Sequence, residues 1–291
     1  MKLDTLSVVV ISRNEGAELR KTVAGLLRTL PATRREIIVV DDGSTDGSMA
    51  FLKSHPEVRR FRTDGIGVAN ARNFGASHAG GDVILFCDAH MRMPARWHRA
   101  ILEPLESPGV GAVAPGVYSL KHPERRGFGL YLSGPDLHAR WREKPGRTPA
   151  PVPVLPGCFL AMRRDVFAAT GGFDGGMRQL GGNDNELSLR LWLLGYELLI
   201  VPRIEVGHLF RTTIPFDATR AAVVHNRLRT AFVHFGRERI ERVVHALREY
   251  RSFPTGLAMT VEGDPFARRA HLLAERRRTD DWFFEFFGMT C

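Results

Sequence analysis

The chain has 291 residues, of which 44% are hydrophobic and 25% charged. That length suits one large domain, or one domain with appendages, and the balance excludes a disordered or fibrous chain. No run reaches the length and apolarity of a membrane span and no charged-then-apolar leader opens the chain, so a cytoplasmic protein is expected, with peripheral contact at the inner membrane face left open.

The formal net charge of +9 fits nucleic acid, an anionic membrane surface or a phosphate-bearing substrate. The arginines are scattered, dense only at Arg268, Arg269 and Arg276 to Arg278. No nucleic-acid motif accompanies them, so no nucleic-acid partner is expected. The three cysteines, Cys87, Cys158 and Cys291, are odd in number and far apart. They have no zinc spacing, and Cys87 reads as a small core residue.

Residues 6–12 read as a first buried strand. Residues 13–16 turn the chain, and residues 17–30 carry Leu19, Val23, Leu26, Leu27 and Leu30 at helical spacing before Pro31 stops them. Residues 36–42 form a second strand ending in Asp41-Asp42, and residues 43–47 turn the chain into a second helix. A weaker strand covers 58–62, and 65–79 is loop followed by helix. Residues 83–88 are apolar, rich in branched and aromatic side chains, and end abruptly in Asp88-Ala89-His90. This alternation argues for a parallel sheet with helices on both faces.

In such sheets ligands bind beyond the carboxyl ends of the strands, here Ser12, Asp42 and Asp88. A carboxylate and an imidazole one residue apart at such an end suit Mn²⁺ or a similar divalent cation holding phosphates. The plainer reading makes Asp88 a helix cap and His90 a surface residue. Asp42 is placed to accept hydrogen bonds from a base or ribose, and Arg72, near the start of its helix, to meet a phosphate. Their plainer readings are an Asx turn and a solvated helix face. Gly65-Ile66-Gly67 is not a P-loop, because no Gly-Lys-Ser/Thr follows.

The next region expects a strand pair over 109–120 and a long excursion over the active face at 121–153. A short helix starts at Asp165, and a further helix follows Gly181-Gly182-Asn183-Asp184 and ends at Gly195. Residues 197–202 form a strand, and Glu205-Val206-Gly207-His208-Leu209-Phe210-Arg211 closes the region.

Val-Val-Val-Ile-Ser-Arg-Asn-Glu, Ile-Ile-Val-Val-Asp-Asp-Gly-Ser-Thr-Asp and Ala-Arg-Asn-Phe-Gly-Ala, followed by the strand into Asp88-Ala89-His90, resemble the family 2 glycosyltransferases. The resemblance implies a GT-A fold: a Rossmann-like α/β nucleotide-diphospho-sugar transferase with a mostly parallel central sheet. Asp-x-His, and Val-Gly-His-x-Phe-Arg at residues 206–211, resemble the polypeptide N-acetylgalactosaminyltransferases in particular. That likeness implies Asp88, His90 and His208 as ligands of Mn²⁺ or Mg²⁺, with Arg211 beside the diphosphate. It implies donor contacts at Ser12, Glu15, Asp42, Arg72, Asp88 and Arg211, with a UDP-linked hexose or N-acetylhexosamine as donor.

Two departures stand out. Arg13 replaces the family's histidine after the first strand, and Gly-Gly-Asn-Asp replaces Gly-Gly-Glu-Asn at 181–184. Asp184 is the expected base or acceptor-binding carboxylate, with a helix N-cap as its plainer role. The anomeric outcome stays open. So does the acceptor: a peptide, a glycan or a small molecule.

The expected organisation is a transferase domain over 1–214, with nucleotide-sugar half 1–115 and acceptor half 116–214, then a helical C-terminal extension over 215–291. The extension reads as basic amphipathic helices at 218–235, 240–250 and 267–278. It closes on an aromatic cluster that wants burial, on the catalytic domain, across a homodimer or at a membrane surface. The alternatives to a transferase are a sugar-phosphate nucleotidyltransferase, or a non-catalytic binder of sugar nucleotides or nucleic acid.

Overall fold

The computed structural model describes residues 3–213, 215 and 218–290; Cys291, named above, lies outside them. In chain order come β1 (Leu6–Ser12), α1 (Ala17–Thr29), β2 (Arg35–Asp42), β3 (Val58–Thr63), α2 (Val68–Ser77), β4 (Val83–Asp88), β5 (Met91–Arg92) and α3 (Trp97–Leu105). Then follow β6 (Val110–Ser119), β7 (Arg126–Gly127), β8 (Leu130–Leu132), β9 (Ala139–Trp141), β10 (Ala150–Pro151), β11 (Phe159–Arg163), α4 (Arg164–Ala169), α5 (Asn183–Leu193) and β12 (Glu197–His208). The last helices are α6 (Arg220–His234), α7 (Arg237–Leu247), α8 (Phe253–Glu262), α9 (Pro265–Glu275) and α10 (Asp280–Phe286).

The central sheet runs β10-β12-β6-β11-β4-β1-β2-β3. β3, β2, β1 and β4 are parallel, as the alternation requires; β11 enters antiparallel between β4 and β6, and β12 runs parallel to β6. Successive residues of one strand serve opposite faces. Val9, Ile38, Val40, Ile84 and Phe86 join the core under α2 and α5. Val8, Val10, Ile37, Val39, Leu85 and Cys87 join the core under α1 and α3. Strands buried on both faces are continuous apolar runs for that reason. α2 lies close on β1, because a Cβ at Gly75 would run into Val9.

Four local expectations change. The helix after Gly47 is only a 3₁₀ turn, Ala50–Ser54, because His55-Pro56 leaves too little chain and disfavours helix before the proline. Residues 109–120 hold one strand rather than two: Pro115-Gly116 reads as a turn but continues through β6. The strand at 197–202 runs on to His208, with its register shifted between Val201 and Glu205, opposite Pro115 and Gly116. Pro202 cannot donate to a ladder, and an irregularity at that point lets the strand continue. The excursion at 121–153 contributes no residue to the cleft described below. Leu132, Leu137 and Val152 are instead buried in the α2-side core, and β8–β9 form a separate small hairpin.

The C-terminal helices pack on the same face as α2 and α5. Phe283 and Phe284 are buried, and Trp192 of α5 meets Phe287 at 5.1 Å. The aromatic cluster thus docks on the sheet-bearing body, although Phe286 stays exposed. No helix among the described residues is long and apolar enough to cross a membrane.

Candidate active site

A cleft of about 770 Å³ opens beyond the carboxyl ends of β1, β2 and β4. It is lined by every residue singled out from the sequence: Ser12, Glu15, Asp42, Arg72, Asp88, His90, Asp184, His208 and Arg211.

Three of these converge. Asp88 ends β4, and His90 lies in the tight turn into β5. β5 pairs antiparallel with the end of β12, Met91 opposite His208, which brings an imidazole from far along the chain beside the turn. The turn is fixed from behind by Thr22 of α1. Its hydroxyl donates to Ala89 O at 2.8 Å and accepts from Met91 N at 2.9 Å. The ligand atoms of Asp88, His90 and His208 lie within 4.8 Å of one another. His90 Nε2 is 3.1 Å from His208 Nε2, which is 3.5 Å from Asp88 Oδ2.

The donor set fits a divalent cation. His90 Nδ1 faces Glu15 Oε2 at 3.1 Å. A bond from that nitrogen to the carboxylate leaves the Nε2 lone pair turned to His208 and Asp88, the outer arrangement usual for a metal-bound imidazole. Two imidazole lone pairs and a carboxylate gathered this closely repel unless a proton or a cation lies among them. One carboxylate and two imidazoles suit Mn²⁺ or a related ion, with positions left for diphosphate oxygens. Burial would raise the Asp88 carboxyl, but the His208 contact and the charges of Arg72 and His90 outweigh it and hold it well below the usual carboxylate range. Burial would lower His90, but the Glu15 contact and Asp88 raise it.

Glu15 takes a role different from the expected donor contact. The oxygen that meets His90 also receives Arg211 Nη2 at 2.5 Å, and the residue is buried. Its carboxylate thus couples a candidate metal ligand to the arginine expected beside the diphosphate. Asp42 is also largely engaged. Oδ1 accepts from Thr63 Oγ1 and Ile66 N, both at 2.7 Å, and Oδ2 accepts from Gly67 N at 3.0 Å. It shapes the loop at 65–67 and keeps one acceptor position for a ligand N–H. Ser12 Oγ is buried without a protein partner. Arg13 lies beside Gly65 on the cleft wall.

Arg72 is buried, not solvated on a helix face. Nη1 donates to Asp184 Oδ1 at 3.0 Å, while Nη2 donates to Gly157 O at 2.8 Å and reaches Asp88 Oδ1 at 3.3 Å. Burial opposes its charge, but Asp184 and Asp88 more than restore it. Gly157 N donates to Asp184 Oδ2 at 3.1 Å, and a Cβ at Gly157 would run into that carboxylate. Asp184 therefore does not cap α5; the N-cap is Gly182, with no side-chain cap bond. Glu186, in the first turn of α5, is buried against Arg190 and His234.

Sequence reasoning missed Thr22, Gly157 and the α6 residues behind the cleft. Thr22 did carry a signal, a polar residue on the apolar face of an amphipathic helix. The others carried none.

The family model described as glycosyl transferase family 2 matches residues 7–171, and one described as the N-terminal domain of galactosyltransferase matches residues 140–213. Polypeptide N-acetylgalactosaminyltransferase 11 of Xenopus tropicalis is 33% identical over 79% of this chain and 43% of its own length. Polypeptide N-acetylgalactosaminyltransferase 16 of Mus musculus is 29% identical over 97% of this chain and 53% of its own. The chain spans about half the length of the curated relatives it matches. A crystal structure of GalNAc-T7 with UDP, GalNAc and Mn²⁺ superposes with a TM-score of 0.79 at 22% identity, covering 97% of this chain and 56% of that one. A mannosyltransferase from Pyrobaculum calidifontis, in complex with GDP-Man and Mn²⁺, superposes at 0.56 and 20% identity, covering 94% and 79%.

Proposed function

The chain belongs to glycosyl transferase family 2, and from that premise we propose that it moves a hexose or N-acetylhexosamine from a UDP-linked donor to an acceptor hydroxyl, with Mn²⁺ or Mg²⁺ held by Asp88, His90 and His208. The observation that carries the reading is the convergence of those three ligand atoms at the mouth of a cleft that also holds Arg211 and Arg72. The likeness to peptide-modifying relatives favours a peptide hydroxyl as acceptor.

When bound, the cation neutralises charge on the departing diphosphate. The protein's own groups do the rest. Arg211, oriented by Glu15, adds fixed positive charge where the leaving group develops its own. Asp42 and the free hydroxyl of Ser12 offer a base and ribose one acceptor position and one hydrogen-bonding group. Arg72 holds Asp184 and Asp88 on one guanidinium, so Asp184 stands next to the metal carboxylate. Each Asp184 oxygen accepts one bond from the protein and keeps room for a hydroxyl of sugar or acceptor.

A nucleotidyltransferase would place a lysine-bearing, glycine-rich loop after β1; Arg13-Asn14-Glu15 stands there, and no described lysine lines the cleft. The test is calorimetry of UDP with Mn²⁺ and with EDTA, followed by hydrolysis of UDP-N-acetylgalactosamine and UDP-hexoses. Metal-dependent binding and turnover are expected. Neither binding nor turnover of any UDP-sugar in Mn²⁺ would overturn the reading.

A further inference from the structure

Residues 177–182 form one wall of the cleft and lead directly into Asp184. The wall cannot hold its own path. Gln179 has φ +47°, left-handed for a residue with a side chain, and Gly181 and Gly182 follow at +97° and +81°. Such a backbone persists only when its surroundings over-determine it. Here those surroundings are supplied by α6, which neither family match reaches.

Asn226, fully buried on α6, spends its whole carboxamide on the wall. Its Oδ1 accepts from Arg178 N at 2.8 Å, and its Nδ2 donates to Arg178 O at 2.9 Å and to Gly181 O at 2.7 Å. It pairs with Arg178 as a neighbouring strand would, and with Gly181 besides. The flanking residues brace the same stretch. His225 Nε2 meets Gly176 O at 2.9 Å, and Arg229 holds Asp174 with two bonds of 2.8 and 3.0 Å. Across the wall, Val68 N donates to Gln179 O at 3.1 Å, which ties it to the loop shaped by Asp42.

We propose that Asn226 is a positioning residue for sugar transfer: its carboxamide fixes residues 178–181 on the one path that closes the cleft and delivers Asp184 to Arg72. The functional half of this statement rests on the glycosyltransferase reading above. Asn226 touches neither the triad nor Arg211, so its loss should spare the metal. The side chain acts through hydrogen bonds rather than bulk. Asn226→Asp keeps the size and the acceptor for Arg178 N, but loses both donors and sets a carboxylate against two carbonyls.

The experiment compares wild type, Asn226→Ala and Asn226→Asp by amide hydrogen exchange, by Mn²⁺-dependent UDP binding, and by hydrolysis of UDP-N-acetylgalactosamine at saturating donor. Both variants should exchange faster across 174–182 and not across β4 or 205–208. Turnover should fall at least ~10-fold, toward the ~100-fold that a misplacement of about 1 Å can cost. Half-saturation by Mn²⁺ should stay within about twofold, because the ligands are untouched. Unchanged exchange in both variants overturns the proposal, as does a loosened wall with wild-type turnover. An Asn226→Asp variant that behaves as wild type also overturns it, by showing that only volume matters. If Asn226→Ala does not fold, Asn226→Asp carries the same test. Wild-type protein that binds no UDP in Mn²⁺ defeats the transferase reading alone, and the exchange comparison still decides whether Asn226 holds the wall.

Discussion

Two walls of the same cleft are built in different ways. At the strand ends, Ser12, Asp42, Asp88 and His208 are placed by backbone pairing within one sheet. At residues 174–186 the backbone has no ladder to join. It is held by buried side chains of α6: His225, Asn226, Arg229 and His234. The first wall is rigid because the sheet is rigid. The second is as rigid as its polar contacts, each of which must be satisfied to be worth its burial. The candidate metal triad thus lies on the sheet-built side, and the stretch that leads into Asp184 is held by a helix outside it.

The largest effect expected on the sheet-built side is from His208→Ala. Losing one of three cation ligands should remove about 4 kcal/mol of transition-state stabilisation, roughly 1000-fold in turnover. The fold should survive, because the β5–β12 pairing uses backbone groups only. Turnover with and without EDTA, beside a thermal melt, checks both halves. Wild-type rates in this variant would remove His208 from the triad.

On the helix-built side, Arg229→Leu should cost about 3 kcal/mol of stability, since it leaves Asp174 buried without its two-bond partner. The loss stays at the low end for a buried pair because Arg268 remains 3.3 Å from the same carboxylate. A urea titration measures it. A loss below about 0.5 kcal/mol, the level of a surface change, would mean the wall does not depend on this anchor. Returning to the sheet-built side, Glu15→Gln keeps an acceptor for His90 Nδ1 but releases Arg211. Mn²⁺ affinity should drop ~10-fold, within the range for partners of metal-bound imidazoles. A metal titration of turnover reads the change.

The contrast also explains what could be read in advance. The strand-end wall was legible because its residues lie in local patterns: an apolar run, then a carboxylate, then a turn. Asp88 and His90 came from the residues themselves. His208 came only with the family resemblance, since nothing in the spacing announces that a two-residue strand will pair with the end of a twelve-residue one. Glu15 was legible as a cleft residue but not in its role, because Arg211 meets it from 196 residues away. The second wall was illegible for a further reason. Asn226 recognises backbone groups of Arg178 and Gly181, and backbone groups leave no trace in residue type. The helices that carry these side chains were visible by their periodicity, but what their polar residues do was not.

The smallest effect concerns acid, and it separates the walls by pH. Glu186 lies behind the helix-built wall, buried against Arg190 at 2.7 Å and His234 at 2.9 Å. Burial alone would raise its carboxyl, but Arg190 and the His234 contact hold it well below the ordinary value of 4.5. The unfolded chain therefore binds this proton first as pH falls, and the stability Glu186 supplies is full above pH ~4.5 and lost as pH drops through its lower folded value. His234 works in the same direction: burial outweighs its contact with Glu186 and lowers it from 6.5, so stability begins to decline below pH ~6.5. The urea midpoint should fall with acidity, with a slope of at most about 1.4 kcal/mol per pH unit for each proton taken up on unfolding. Protection against hydrogen exchange, relative to the intrinsic amide rate at each pH, should weaken in residues 174–186 at a higher pH than in β1 and β4, because the one carboxylate on those two strands, Asp88, has an ordinary value of 3.8, below the 6.5 from which His234 is lowered. If both walls loosen together, the helix-built side is not the weaker partner, and the division of labour between sheet and α6 fails.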